Sequence, residues 1–267
     1  MNKVIERNNV KVFGEGPPMI FAHGFGCDQN MWRFITPAFK KEHTIVLFDY
    51  VGAGHSDISA YNNEKYSDLN GYARDILDII HALSLKDVIF VGHSVSCMIG
   101  LLAAIKEPDL FSKMIFVGPS ARYINEAPAY VGGFEKHDIV ELLETMDKNY
   151  IGWANFLGAS IMKNPEKPEL AEELTQSFCS TDPVIARQFA EVTFFSDNRN
   201  DLSKLNIPSL ILQCSDDLLA PLEVGDYLAN NIPQSSLKIM KATGHCPHMS
   251  APAETIELMR EYLENAN

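Results

Sequence analysis

Hydrophobic residues along the chain follow two rhythms. Residues 19–22, 44–48, 88–91, 114–117, 209–213 and 236–240 form short apolar runs rich in β-branched side chains, each bounded by turn-forming residues. Runs of this length predict strands buried on both faces. Between them the spacing changes. Residues 72–83 (YARDILDIIHAL) and 256–263 place apolar side chains three and four positions apart, which predicts helices. Strands alternating with helices imply an α/β fold, with a mostly parallel central sheet and helices on both faces.

Residues 121–202 break the rhythm. Helical patterns cover 138–147, 169–178 and 183–195, no strand pattern intervenes, and aromatic residues are frequent. This predicts an all-helical insertion between two strands, dividing the chain into a core of 1–120 and 203–267 and a helical lid of 121–202. Such an insertion would lie over the carboxyl edge of the sheet, where folds of this type bind ligands.

Composition narrows the partners. The chain has 267 residues, 46% hydrophobic, and a net charge of −13. A chain this acidic repels phosphate backbones, so nucleic acid is not an expected partner, and neutral substrates are favoured over anionic ones. The five cysteines are scattered and form no CxxC, which argues against a disulfide framework or a zinc knuckle. They read as reduced thiols of a cytoplasmic protein. The N-terminus has no signal-peptide core, and no stretch approaches the ~20 apolar residues of a membrane helix. There is no P-loop, and Gly52-Ala53-Gly54 lacks the third glycine of a dinucleotide fingerprint, so no cofactor is expected.

The chemistry starts at VIFVGHSVS, residues 88–96. A strand, a small residue, a serine two positions on and a second small residue describe a nucleophile elbow, which pushes the serine hydroxyl above the sheet. Gly92 and Ser96 are the small positions around Ser94, and residues 97–105 are helix-like. The usual pattern is G-x-S-x-G, and here Ser96 replaces the last glycine.

A serine hydroxyl needs a general base. His245 and His248 lie in KATGHCPH after the last strand pattern, followed by Pro252 and a terminal helix. A Gly-His in this place favours His245 as the base, with His248 as the competitor. Cys246 and His248 offer only two ligands, a poor metal site, so no metal is expected. The base in turn needs a buried acid. The strand at 209–213 leads into CSDDLLAP, which offers Asp217 by its spacing to Pro221, with Asp216 as the alternative. The order Ser94, Asp217, His245 is that of α/β-hydrolases and differs from the chymotrypsin and subtilisin orders.

Acyl transfer also needs backbone N–H groups aimed at the developing oxyanion. One is expected from Val95, directly after the nucleophile, and one from Phe25 in the HGFG turn after the first strand pattern. The Phe25 side chain is also expected to line the pocket. The DYVGAGHSD loop, 49–57, is expected to support this edge structurally.

HGFGCDQNMW, FDYVGAGHSD, VGHSVS, NYIGWANF, FCSTDPVIARQFA and GHCPHMS together resemble the α/β-hydrolase superfamily. Within it they are similar to the RsbQ-like branch of stress regulators, related to the karrikin and strigolactone receptors of plants. The serine at the end of VGHSVS resembles the elbow of those receptors. The resemblance implies a four-helix lid over a small apolar cavity, with Phe25, Tyr123, Trp153, Phe156, Phe178 and Phe194 as candidate pocket residues. It implies hydrolysis of a small hydrophobic ester or butenolide-like lactone, or a receptor that binds such a ligand and turns it over slowly. It further implies a PAS-domain PPM-type phosphatase as partner in sigma-B stress signalling, with the chain a monomer or weak homodimer.

Overall fold

Residues 3–265 are described in a computed structural model of the chain. After a short helix α1 (Lys3–Arg7), strands β1 (Lys11–Gly14), β2 (Pro18–Ala22) and β3 (Thr44–Leu47) precede helix α2 (Leu69–Ala82). Strand β4 (Val88–His93), helix α3 (Val95–Lys106) and strand β5 (Phe111–Val117) follow. Four helices come next: α4 (Lys136–Lys148), α5 (Tyr150–Met162), α6 (Pro168–Ser180) and α7 (Pro183–Phe194). The chain then returns to the sheet through β6 (Ser209–Asp216), α8 (Leu222–Asn231) and β7 (Ser235–Thr243), and ends in α9 (Pro247–Ser250) and α10 (Pro252–Asn265).

The seven strands form one sheet in the order β1-β3-β2-β4-β5-β6-β7. Only β1 is antiparallel to its neighbour. The central strands are buried on both faces because their residues alternate between two apolar layers. Ile20, Phe90 and Met114 point into a layer with α2, α3 and α8. Met19, Phe21, Ile89, Val91 and Ile115 point the other way, toward Trp32 and Met259 of α10. The chain passes from β2 to β3 on one side, and the next connection crosses from β3 to β4 on the other side of β2. The gap beyond the carboxyl ends of β2 and β4 is therefore the switch point where such sheets hold ligands.

All six expected strands are present, several of them longer than the apolar runs. Five of these elements escaped the pattern, among them the short helices α1 and α9. Strand β1 is exposed along its whole length and has no buried face to reveal it. Helix α5 buries Trp153, Ala154, Leu157, Gly158, Ile161 and Met162, yet Ile151 and Phe156 are apolar on its outer side, which hides the helical period. Helix α8 buries only Val224, Gly225 and Leu228, a stripe too narrow to stand out.

The four helices α4–α7 enclose an apolar cluster of their own, centred on Trp153, Leu157, Phe178 and Phe194. Their starts are fixed locally. Glu135 and Asp138 form a reciprocal capping box at α4, the Asn149 side chain accepts from the Gly152 N–H at α5, and Asp182 accepts from Val184 and Ile185 ahead of Pro183 at α7. Among the described residues no helix is long and apolar enough to cross a membrane.

Candidate active site

Ser94 stands between the end of β4 and the first residue of α3, with φ 56° and ψ −126°. This backbone costs a non-glycine residue roughly 1–3 kcal/mol, and it persists because its surroundings leave no alternative. The Ser94 N–H donates to the Val117 carbonyl at 2.9 Å. A Cβ on Gly92 would lie 2.8 Å from the Ser96 carbonyl oxygen, so the bend closes only with glycine there. The turn lifts the Ser94 hydroxyl off the sheet toward His245.

The Ser94 hydroxyl donates to His245 Nε2 at 2.7 Å, and His245 Nδ1–H donates to Asp217 Oδ2 at 2.7 Å. All three residues are buried. Asp217 is fixed through its other oxygen, which accepts the N–H groups of Leu219 at 2.9 Å and Ala220 at 3.3 Å. Asp216, the alternative acid, faces solvent and pairs with Lys163 at 2.6 Å. A β-bulge at the end of β6 separates the two aspartates' directions.

The base loop is held from both sides. The His245 N–H donates to the Ile161 carbonyl at the end of α5, 2.7 Å away. Its own carbonyl accepts from His93 Nε2 at 2.8 Å. Gly244, at φ 81°, has no room for a side chain, since a Cβ would lie 2.1 Å from the Met162 carbonyl oxygen. His248 lies behind this loop, buried against Trp32 and His93 with ring centroids 4.6 and 4.4 Å away. It makes no contact with Ser94 or Asp217 recorded among the hydrogen bonds of the described residues. Burial, reinforced by neighbouring His245, pushes its pKa down to about 3. Burial likewise lowers His93 well below the ordinary histidine value.

The Val95 N–H opens α3 and belongs to the amide groups that a helix start leaves without an internal carbonyl. The Phe25 N–H donates to no backbone carbonyl among the described residues. Both border Ser94. The Phe25 loop is anchored through His23, whose ring the sequence pattern did not single out, and through Ser96 and Tyr50. His23 Nδ1–H donates to the Gly24 carbonyl at 2.9 Å, while its Nε2 accepts the Tyr50 N–H at 3.2 Å. The Ser96 hydroxyl donates to the His23 carbonyl at 2.5 Å and accepts from the Tyr50 hydroxyl at 2.9 Å. The serine in the last elbow position thus ties the elbow to the Phe25 loop, a bond that glycine could not make. In the supporting loop, the Asp49 carboxylate gathers the Gln29 and His55 N–H groups and the Asn9 amide.

Above Ser94 lies a narrow, partly enclosed apolar cavity of about 20 Å³, bordered by Phe25, Tyr123, Phe178, Thr193, Phe194 and His245. Cys27, Leu157, Ile161, Leu174, Leu219 and Cys246 complete the wall. Of the six aromatic candidates, Phe25, Tyr123, Phe178 and Phe194 line this cavity. Trp153 is buried one layer behind, packed on Phe25 and Phe178. Phe156 does not belong to it. It is 67% exposed, because on α5 it falls on the side opposite the Trp153–Leu157–Ile161 stripe. The cavity so drawn has room for one ordered water, so a substrate must displace wall side chains to enter.

Residues 17–252 match the family model described as alpha/beta hydrolase fold. The chain belongs to the α/β-hydrolase fold family. It is similar along its length to the karrikin insensitive 2 receptor CA of Petunia hybrida, at 35% identity over 99% of this chain and 98% of the relative. A strigolactone esterase of Arabidopsis thaliana is 34% identical over 98% of each chain. Among solved structures, a hydrolase from Oleispira antarctica superposes with a TM-score of 0.96 at 46% identity, covering 98% of this chain and 96% of that one. A mostly parallel sheet flanked by helices, as the alternation of strand and helix patterns predicted, is the sheet of this family.

Proposed function

We propose that the chain is a serine hydrolase of carboxylic esters, acting on a small, neutral, hydrophobic ester or butenolide-like lactone. The observation that carries this reading is the unbroken chain of hydrogen bonds from Ser94 through His245 to Asp217 on the floor of an apolar cavity. Ser94 Oγ attacks the carbonyl carbon while His245 Nε2 takes its proton. Asp217 holds the Nδ1–H tautomer and stabilises the imidazolium that forms. The N–H groups of Phe25 and Val95 receive the oxyanion, each worth roughly 3–4 kcal/mol in comparable sites. His245 then protonates the leaving alkoxide, and water, activated by the same histidine, releases the acyl group. The esterase names among the relatives support this class of reaction.

The test is a time course with p-nitrophenyl acetate, p-nitrophenyl octanoate and a synthetic butenolide, run on the wild type and on Ser94→Ala with intact mass recorded throughout. Many turnovers of the acetate, poor cleavage of the octanoate and a loss of roughly a million-fold in the variant are expected. Equal rates in both proteins would remove Ser94 as nucleophile.

A second reading, a ligand receptor with slow or single-turnover hydrolysis, is favoured by the cavity's narrowness and by the receptor names among the relatives. A single burst on the butenolide with a lasting mass adduct would select it. The RsbQ-like role, with a PAS-domain PPM-type phosphatase as partner and a cytoplasmic location, belongs to this reading and rests on the sequence resemblance. The five free thiols fit a reducing compartment. Within the same proposal, residues 121–202 act as the lid of the core.

A further inference from the structure

Two hydroxyl groups in the cavity wall have no protein partner. Thr193, on α7, is 2% exposed and Tyr123 is 1% exposed. Both line the same cavity as Ser94 and His245, and neither hydroxyl forms a hydrogen bond among the described residues. The Tyr123 hydroxyl approaches Ser94 without reaching hydrogen-bond geometry. Burial raises its pKa, so it remains a donor across the neutral range.

Orphaned hydroxyls are not forced by the fold. A threonine in a helix can turn its hydroxyl back to the carbonyl one turn earlier. Ser160 on α5 does this with the Phe156 carbonyl, and Thr145 on α4 does it with the Glu141 carbonyl. Thr193 leaves its own turned inward and unpaired. Valine would fill the same space, and phenylalanine that of Tyr123, without leaving a buried polar group unsatisfied. Apart from Ser94, His245, His93 and the Cys27 and Cys246 thiols, the remainder of the wall is hydrocarbon. A pocket built for a hydrocarbon acyl chain alone has no use for either oxygen–hydrogen donor.

We propose that the Thr193 and Tyr123 hydroxyls form a polar subsite that selects acyl groups carrying a second oxygen close to the scissile carbonyl, over hydrocarbon groups of the same shape. The ligand class is the small ester whose acyl group carries an ether oxygen beside the scissile carbonyl, and that oxygen accepts from these donors. The inference deepens the esterase reading and rests on Ser94 being its nucleophile. A single water filling the cavity is the competing partner for the two hydroxyls.

The test compares p-nitrophenyl tetrahydrofuran-2-carboxylate with p-nitrophenyl cyclopentanecarboxylate, which differ by one ring oxygen in place of a methylene. Each kcat/KM is divided by the rate of alkaline hydrolysis, which removes the intrinsic effect of the oxygen on reactivity. The wild type should prefer the oxygenated ester about ten-fold, and Thr193→Val and Tyr123→Phe should each reduce that ratio toward one. Wild type without a preference, or variants that keep the wild-type ratio, overturn the subsite and leave the hydroxyls to water. Failure of the esterase reading looks different, because neither ester then turns over. In that event, binding of methyl tetrahydrofuran-2-carboxylate and methyl cyclopentanecarboxylate to Ser94→Ala, followed by saturation-transfer NMR, decides the matter. Tighter binding of the oxygenated ester that a Thr193→Val replacement abolishes upholds the subsite, and equal binding overturns it.

Discussion

Ser94 and His245 meet at 2.7 Å across 151 residues of sequence, and the two are held in place by different parts of the molecule. Ser94 is fixed by its own neighbours: strand β4 before it, helix α3 after it, and the Val117 carbonyl on the adjacent strand. His245 is fixed from a distance. The last turn of α5 accepts its N–H, and His93 donates to its carbonyl. Lys163, just beyond α5, also pairs with Asp216 beside the acid. The sheet therefore makes the elbow that carries Ser94, while the four-helix segment takes part in placing His245. That segment covers the pocket and is also bonded to the loops that carry His245 and Asp217.

The sharpest way to break this comparison is at the acid. Asp217→Asn keeps the shape but permits the wrong histidine tautomer, and a fall of about 10⁴ in kcat is expected. Asp216→Asn removes only a solvent-facing pair with Lys163, and surface pairs contribute about 0–1 kcal/mol, so kcat should stay within about two-fold. Kinetics of both variants on p-nitrophenyl acetate decide it. A larger loss in Asp216→Asn would show that the aspartates exchange roles in solution.

The α5 contact is tested by Gly244→Ala. The new Cβ would collide with the Met162 carbonyl, and the positive φ is itself unfavourable for alanine. Displacing the base by about 1 Å costs on the order of 10² in rate. The expected result is that loss in kcat together with a lower melting temperature. A melting temperature that falls while kcat holds would mean that α5 stabilises the loop without positioning His245.

A smaller effect is expected at Ser96→Ala. It strips the partner from the Tyr50 hydroxyl and the His23 carbonyl, both buried, which costs about 1–3 kcal/mol of stability. Because the His23 carbonyl belongs to the loop that carries Phe25, kcat should drop by about ten-fold with KM little changed. A KM effect alone would place Ser96 in substrate binding and not in support of the oxyanion loop.

The same contrast explains what could be read from residues alone. The elbow is local, so VIFVGHSVS displayed it within nine positions. Asp217 and His245 were legible because each follows a strand, and the carboxyl ends of parallel strands converge. The ties between them were not legible, since the Ile161 carbonyl carries no side-chain signature. Ser96 looked like a departure from the glycine pattern, and its partners only become visible when Tyr50 and His23 are brought beside it. Helix α5 lost its period because apolar Ile151 and Phe156 face outward, and the same outward turn removed Phe156 from the pocket. Thr193 was passed over because one hydroxyl within an apolar helical pattern carries no signal until its lack of a partner is seen.

The smallest expected effect probes the dry histidine layer beneath the elbow, where the sheet side of the comparison is densest. His248 is pushed down to about 3 by burial, and His93 and His23 are lowered by the same cause. In the unfolded chain each would titrate near 6.5. Between 6.5 and the folded value, the unfolded chain binds a proton that the folded chain does not. Stability therefore falls as pH drops through that window, by about 1.4 kcal/mol per pH unit for each such histidine, and none of this penalty acts well above 6.5. His248→Phe keeps an aromatic ring against Trp32 and removes one titrating group. Denaturant unfolding at pH 8, 6 and 5 should show a shallower loss of stability in the variant, by about 1.4 kcal/mol per unit below pH 6. An unchanged slope would mean that His248 takes up its proton while folded. Water would then reach the layer under Ser94, and the sheet side would be no drier than the base loop it supports.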